Sequence, residues 1–246
     1  MFPEFIKVMV RGVQLRTPLD DVFEENFDRT FRTYYNKVEN SLLSGLCDTY
    51  GTDKGQLVRG NRTQTWHAHT YADYLERTFR HCRHHVAHVF ECGMGTNNPG
   101  LVSSMGSGGK PGASLRVWRD YFPNAQIVGV DIDGDIIFQD ERIRTFQCDQ
   151  TDPAAIKAVM DQVGDNEFDL MIDDGLHTFA GGVSLLENAI HKLKPEGVYI
   201  IEDVNIADLF NFMIYFKDKP WNVEFVNLYR KNIPLADNSL IVIRKG

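Results

Sequence analysis

From residue 86 to residue 204 the chain repeats one unit: a short apolar run ending at a polar or acidic residue, then a loop and a helical stretch. The runs are Val86–Glu91, Gln126–Asp131, Ile143–Cys148, Phe168–Asp173 and Val198–Glu202. Helical spacing covers Ala113–Tyr121, Pro153–Val163 and Phe179–Leu193, the second with proline in its first turn. Strands joined through helices need crossover connections, so these runs predict a mostly parallel sheet with helices on both faces. Two more helices are expected over 70–80 and 207–216. Val223–Tyr229 and Ser239–Arg244, joined by a turn at Pro234–Asn238, read as a closing hairpin that adds an antiparallel strand at the edge. The fold class is therefore α/β.

Ahead of this region the pattern is weaker. Residues 5–16 read as a strand or an arm. Residues 22–43 read as a helix, because Phe23, Phe27, Tyr34, Val38 and Leu42 recur near helical spacing behind the cap candidates Asp20 and Asp21. The division expected is an N-terminal extension or helical arm over 1–45 and one α/β domain over 46–246. A polar stretch, CDTYGTDKGQLVRGNRTQ, reads as loop.

Composition removes several function classes. A length of 246 residues with 43% apolar side chains supports one large core. A net charge of −8, with no run of five Lys or Arg, argues against a nucleic-acid partner. No apolar stretch nears the roughly 20 residues of a spanning helix, so no membrane insertion is expected. The start shows no leader-like pattern, and Cys47, Cys82, Cys92 and Cys148 form no CxxC pair. Reduced thiols and a cytoplasmic location follow as expectations.

In an open parallel sheet, ligands sit at the carboxyl ends of the strands. The first strand ends in Glu91-Cys92-Gly93-Met94-Gly95, where Gly93 and Gly95 let backbone approach a ligand. The second ends in Asp131, placed to accept from ribose hydroxyls. The third ends near Asp149, placed to accept from an adenine amino group. A nicotinamide-binding turn wants GxGxxG, and the third glycine is missing here, since Asn98 stands there. An ExGxG turn followed by two strand-end acids instead fits an S-adenosylmethionine site. The bland reading is a tight turn with helix-capping aspartates. The Gly- and Ser-rich insertion over 96–112 reads as a lid over the cofactor or as an idle surface loop.

The fourth strand ends in Asp173-Asp174-Gly175-Leu176-His177 and the fifth in Glu202-Asp203. Asp173 is grouped with the cofactor residues. Carboxylates brought this close repel unless a cation compensates, and an all-oxygen ligand set suits Mg²⁺. The expected ligands are Asp174, Glu202 and Asp203, with His177 as general base. Such a site activates an alcohol that would otherwise hold its proton. Helix capping by these acids is the alternative.

Six stretches resemble the macrocin- and mycinamicin-type sugar O-methyltransferases: YGTDKG (50–55), HTYADYLE (69–76), ECGMG (91–95), GASLRVWRDYFPNAQIVGVDID (112–133), IDDGLH (172–177) and KPEGVYIIEDV (194–204). The resemblance implies a Rossmann-like class I methyltransferase sheet, S-adenosylmethionine and Mg²⁺ as cofactors, and transfer of methyl to a sugar hydroxyl. The sugar would be a deoxyhexose such as rhamnose on a glycan or natural product. Carried over, the ligands fall on Asp174, Glu202 and Asp203 and the base on His177. Tyr50, Thr52, Asp53 and Lys54 fall in the segment folding over the cofactor. The partner implied is a sugar-bearing small molecule or glycan, and a homo-oligomer is compatible with it. A catechol-like phenol methyltransferase uses the same metal logic, and a nicotinamide oxidoreductase is the rival of a different class. His81, Cys82, His84, His85 and His88 match no paired zinc spacing. Arg116 and Arg119 read as surface residues or partners of nearby acids such as Asp120, and Trp66, Trp118 and Trp221 as core.

Overall fold

The computed structural model describes residues 30–34, 37–56, 67–230 and 235–245. The strand or arm expected over 5–16 lies outside them. Among the described residues, nine strands form one sheet: β1 Thr30–Tyr34, β2 His88–Cys92, β3 Gln126–Asp131, β4 Gln139–Asp140, β5 Ile143–Gln147, β6 Phe168–Asp173, β7 Leu193–Ile201, β8 Trp221–Leu228 and β9 Ser239–Lys245. Among the described residues, six α-helices accompany them: α1 Leu42–Tyr50, α2 Ala72–Phe79, α3 Ala113–Tyr121, α4 Pro153–Val163, α5 Phe179–Ala189 and α6 Ile206–Phe216.

The strand order is β1-β8-β9-β7-β6-β2-β3-β5-β4. Strands β5, β3, β2, β6 and β7 are parallel neighbours, and β9 runs antiparallel to both β7 and β8. The closing hairpin forms as expected, but β8 and β1 extend the sheet beyond β9. The antiparallel strand standing at an edge is the two-residue β4. The helix expected over 22–43 is corrected at 30–34, which pair in parallel with Glu224–Leu228 of β8. The sequence there, TFRTY, is β-branched and aromatic, and an available strand edge overrides the weak helical spacing. Helix α1 begins only at Leu42, capped by Ser41.

Period-2 alternation sends side chains of each central strand to both faces. Leu170, Ile172, Val198 and Ile200 enter one core layer with Leu75, Trp118 and Tyr121 of α2 and α3. Met171, Tyr199 and Ile201 enter the other with Ile156, Leu185 and Phe212 of α4, α5 and α6. Each such fully buried aliphatic or aromatic side chain contributes about 1.5–3 kcal/mol relative to exposure. Two buried layers hold the strands in register, which fixes where each strand end delivers its polar residues.

Candidate active site

Those ends open on one cavity of about 440 Å³. From the first half of the sheet it is lined by Cys92–Thr96, Asp131, Ile132 and Cys148–Thr151. From the second half come Asp174–His177 and Asp203, and from the α1 loop Gly51, Thr52 and Asp53. Leu235 and Asp237 approach from the β8–β9 connection. Helix capping does not use the site acids. Asp152 caps α4, Thr178 caps α5 and Asn205 caps α6.

In the glycine turn, both glycines take positive φ, 89° at Gly93 and 79° at Gly95. A Cβ on Gly93 would sit 2.0 Å from the carbonyl oxygen of Asp174, so the glycine lets the turn pack against the DDGLH loop. A Cβ on Gly95 would sit 2.4 Å from the Met105 methyl, so the insertion folds down onto this turn. Val102, Ser103, Ser104 and Met105 line the cavity, so the insertion forms part of its wall. Asp131 accepts the Met94 N–H at 2.7 Å and the Asp133 N–H at 3.0 Å. Asp149 lies on the wall and accepts from the backbone and hydroxyl of Thr151.

Four residues expected at the cofactor take other positions. Glu91 is fully buried and accepts from Ser114 Oγ at 2.7 Å and Trp118 Nε1 at 2.9 Å, bracing α3 against β2. Tyr50 donates to Asp120 at 2.5 Å, away from the cavity wall. Lys54 is 2% exposed and reaches Asp174 at 2.5 Å, Glu91 at 3.5 Å and, in shorter contact, Glu202. Burial opposes its charge, and Asp174, Glu202 and Glu91 more than compensate, so its pKa lies well above the usual lysine value. Asp173 is buried one layer below, bonded to Gln150 Nε2 at 3.0 Å. Thr52 does line the cavity.

The strand ends of β6 and β7 converge. Asp174, His177 and Asp203 each offer a ligand atom within 4.8 Å of the others. His177 Nε2 lies 3.3 Å from Asp174 Oδ1 and 3.7 Å from Asp203 Oδ2. Burial works against a charge on His177, and both carboxylates overcome it, raising its pKa to about 10. Burial also opposes ionisation of Asp174, and Lys54 and His177 outweigh it, holding that carboxyl below the usual range. Among the expected ligands, Glu202 stands apart, with one oxygen on Lys54 and the other without a hydrogen-bond partner among the described residues. The donor set fits a hard divalent cation: two carboxylates converge, a third lies next to them, and the cavity leaves room for further oxygen ligands. Both His177 and Asp203 hold positive φ, at 56° and 53°, an uncommon conformation for non-glycine residues. No comparable group appears at His81, Cys82, His84, His85 and His88 among the described residues.

Four neighbours, His69, Tyr71, Gln150 and Asp237, are not singled out by the sequence. His69 Nδ1 lies 3.2 Å from Asp53, and its Nε2 lies 3.5 Å from Asp203 and 3.4 Å from Asp237. Burial lowers its basicity, but Asp203, Asp237 and Asp53 raise it to about 11. Tyr71 bonds to Asp203 at 2.6 Å. Gln150 accepts the Leu176 N–H at 2.6 Å and so ties the DDGLH loop to the β5 end. The signal available for His69 and Tyr71 was two polar aromatic residues leading into a helix that must bury its first turn.

No family model matches the chain. It is 34% identical over 199 residues to the mycinamicin VI 2''-O-methyltransferase of Micromonospora griseorubida, covering 79% of this chain and 47% of that protein. It is 33% identical over 165 residues to the 8-demethyl-8-alpha-L-rhamnosyl tetracenomycin-C 2'-O-methyltransferase of Streptomyces olivaceus, covering 67% and 38%. The demethylmacrocin O-methyltransferase of Streptomyces fradiae is 30% identical over 175 residues, covering 70% and 42%. The chain thus spans less than half the length of these curated relatives. A structure of MycE methyltransferase from the mycinamycin biosynthetic pathway, in complex with Mg and SAH, superposes with a TM-score of 0.59 at 24% identity. That match covers 86% of this chain and 55% of the other, and shows the shared fold.

Proposed function

We propose that the chain, which is similar to the macrocin- and mycinamicin-type sugar O-methyltransferases and shares the fold of one of them, is a class I S-adenosylmethionine-dependent methyltransferase that methylates a sugar hydroxyl with the help of Mg²⁺. The acceptor proposed is a deoxyhexose such as rhamnose, carried on a natural product or glycan. The relatives named for rhamnosyl tetracenomycin and mycinamicin support that class. One observation carries the reading: Asp174, His177 and Asp203 meet on the wall of the cavity that also holds the glycine turn and Asp131.

S-adenosylmethionine supplies the methyl group and the sulfonium leaving group. Gly93 and Gly95 would form its floor, Asp131 would accept from its ribose, and Asp149 and Thr52 would close its sides. Mg²⁺ supplies a charge that makes a sugar hydroxyl more acidic and a fixed point for registering a vicinal diol. Asp174 and Asp203 would hold it. Glu202, with one oxygen on Lys54 and the other unpartnered among the described residues, would stand beside them. His177 takes the hydroxyl proton at Nε2, and for that it must be neutral. In the described geometry Asp174 and Asp203 keep it protonated, so compensation of their charge is what frees it as a base. Lys54 holds Glu91, Asp174 and Glu202 together and keeps the carboxylates from repelling one another. The insertion and the Asp53–His69 pair exclude water from the reacting centre.

The test is methyl transfer from labelled S-adenosylmethionine to deoxyhexosyl acceptors, read by mass spectrometry, after dialysis against EDTA and after Mg²⁺ is returned. Product should vanish with EDTA and reappear with Mg²⁺. Full activity in EDTA would remove the metal from the reading. Methylation of a catechol with no sugar product would replace the acceptor class.

A further inference from the structure

We infer that Tyr71 is a positioning residue for the metal site, fixing which oxygen of Asp203 faces the ion; the inference rests on the proposal that Asp203 is a ligand. Tyr71 stands just before α2 and is 1% exposed. Its hydroxyl makes two bonds to the same residue. It donates to Asp203 Oδ1 at 2.6 Å and accepts the Asp203 backbone N–H at 3.1 Å. The Asp237 carbonyl oxygen lies 3.1 Å away, but a hydroxyl has one proton, and the shorter carboxylate contact takes it.

Asp203 needs such a clamp. Its φ of 53° is left-handed, a conformation that strains a non-glycine residue unless its surroundings hold it. Gripping backbone and carboxylate with one hydroxyl holds that conformation and orients the side chain within it. Oδ1 is turned back to Tyr71 and toward His69 Nε2, 3.5 Å away. Oδ2 is left facing His177 at 3.7 Å. Asp203 therefore presents one oxygen to the cation site rather than two. The Tyr71 ring is itself fixed by stacking on His69, with centroids 5.3 Å apart and planes 23° from parallel. The outer partners of a metal ligand orient it and tune its affinity in this way.

The test is Tyr71→Phe, which keeps the ring and removes the donor. Mn²⁺ serves as the probe ion, titrated against wild type and variant by the spin-resonance signal of the free ion. Tyr71→Phe should bind Mn²⁺ about 10- to 100-fold more weakly. S-adenosylmethionine affinity by calorimetry should stay within about twofold, the scale of a site the hydroxyl does not touch. In turnover, the Mg²⁺ concentration for half-maximal rate should rise, with kcat at saturating Mg²⁺ returning toward wild type. A residue that only packs the core would lower the melting temperature and leave Mn²⁺ affinity unchanged. Equal Mn²⁺ affinity in a cooperatively melting variant overturns the inference while leaving the metal reading standing. Failure of the wild type to bind Mn²⁺ overturns both. Should Tyr71→Phe not fold, 4-fluorophenylalanine at position 71 fills the hydroxyl's space without its proton and must show the same weakening.

Discussion

The two halves of the sheet answer their acidic residues differently. At the ends of β2, β3 and β5, neutral donors do most of it: Ser114 and Trp118 on Glu91, backbone N–H groups on Asp131, Thr151 on Asp149, with Lys54 reaching Glu91 from the other half at 3.5 Å. At the ends of β6 and β7, Asp174, Glu202 and Asp203 are answered by Lys54, His69 and His177, and Glu202 keeps a buried oxygen unpartnered among the described residues. A half satisfied by neutral donors is pre-organised for a ligand read through hydrogen bonds. A half balanced by exchangeable cationic groups is arranged for an ion and a proton to come and go. The left-handed backbone at His177 and Asp203 falls in that second half, where strain is held by surrounding contacts.

The comparison is tested most severely at His177. His177→Ala should lower kcat by ~10²–10⁴-fold, the usual worth of a positioned general base, and leave S-adenosylmethionine affinity nearly unchanged. Single-turnover methyl transfer on a variant with wild-type melting measures it. The wild-type rate should rise with pH as the imidazole loses its proton, and that limb should be missing from the variant. A near-wild-type single-turnover rate would remove His177 from the proton path.

Lys54 sharpens the contrast from the other side, because it is the cation that joins the halves through Glu91. Lys54→Met leaves two buried carboxylates and the half-buried Asp174 short of a partner and should cost about 3–5 kcal/mol of stability, read by denaturant unfolding. The loss should depend on pH. Burial raises the Glu91 carboxyl to about 7 even with Lys54 beside it. A folded-state acid with a raised pKa binds more protons than the unfolded chain, so stability falls as pH rises through that range. The variant should therefore be markedly more stable near pH 5 than near pH 8, and a pH-independent loss would mean that Lys54 contributes by packing alone.

The halves also differ in how far the sequence reveals them. Gln126–Asp131 and Phe168–Asp173 are legible as strands to the residue, because both faces are buried and the apolar run stops where the sheet stops. Asp174, Glu202, Asp203 and His177 are legible as one neighbourhood because adjacent strand ends bring them together, while the structure gathers Asp174, His177 and Asp203 and leaves Glu202 on Lys54. Lys54 is not, since its partners Asp174 and Glu202 stand 120 and 148 residues away and no local pattern marks the pairing. Glu91 reads as a cofactor residue from its place beside the glycines. The structure turns it inward, because Trp118 and Ser114 one helix later offer donors that no strand pattern announces. The strand at Thr30–Tyr34 is hidden for a related reason: its partner β8 is about 190 residues on and the local spacing favours a helix.

Within the cofactor half, Asp131 and Asp149 separate a ligand-reading acid from a turn-forming one. Asp131 is 7% exposed, and burial pushes its carboxyl up despite the N–H groups of Asp133 and Met94. Those two bonds leave each oxygen a further lone pair, enough for the ribose hydroxyls. Asp131→Ala should weaken S-adenosylmethionine binding by ~1.5–3 kcal/mol, the scale of a hydrogen bond to a charged group. It also strips the Met94 and Asp133 N–H groups of their acceptor, so the melting temperature should fall together with affinity. Asp149 is half-buried and already gives one oxygen to both donors of Thr151. Asp149→Ala should therefore cost only ~0.5–1.5 kcal/mol in affinity, the net worth of an ordinary hydrogen bond. Calorimetry well below each variant's melting point keeps the binding loss apart from the folding loss. Equal losses at the two positions would erase the distinction and make Asp149 as much a ligand contact as Asp131. An unchanged affinity in folded Asp131→Ala would leave Asp131 as a brace for the glycine turn.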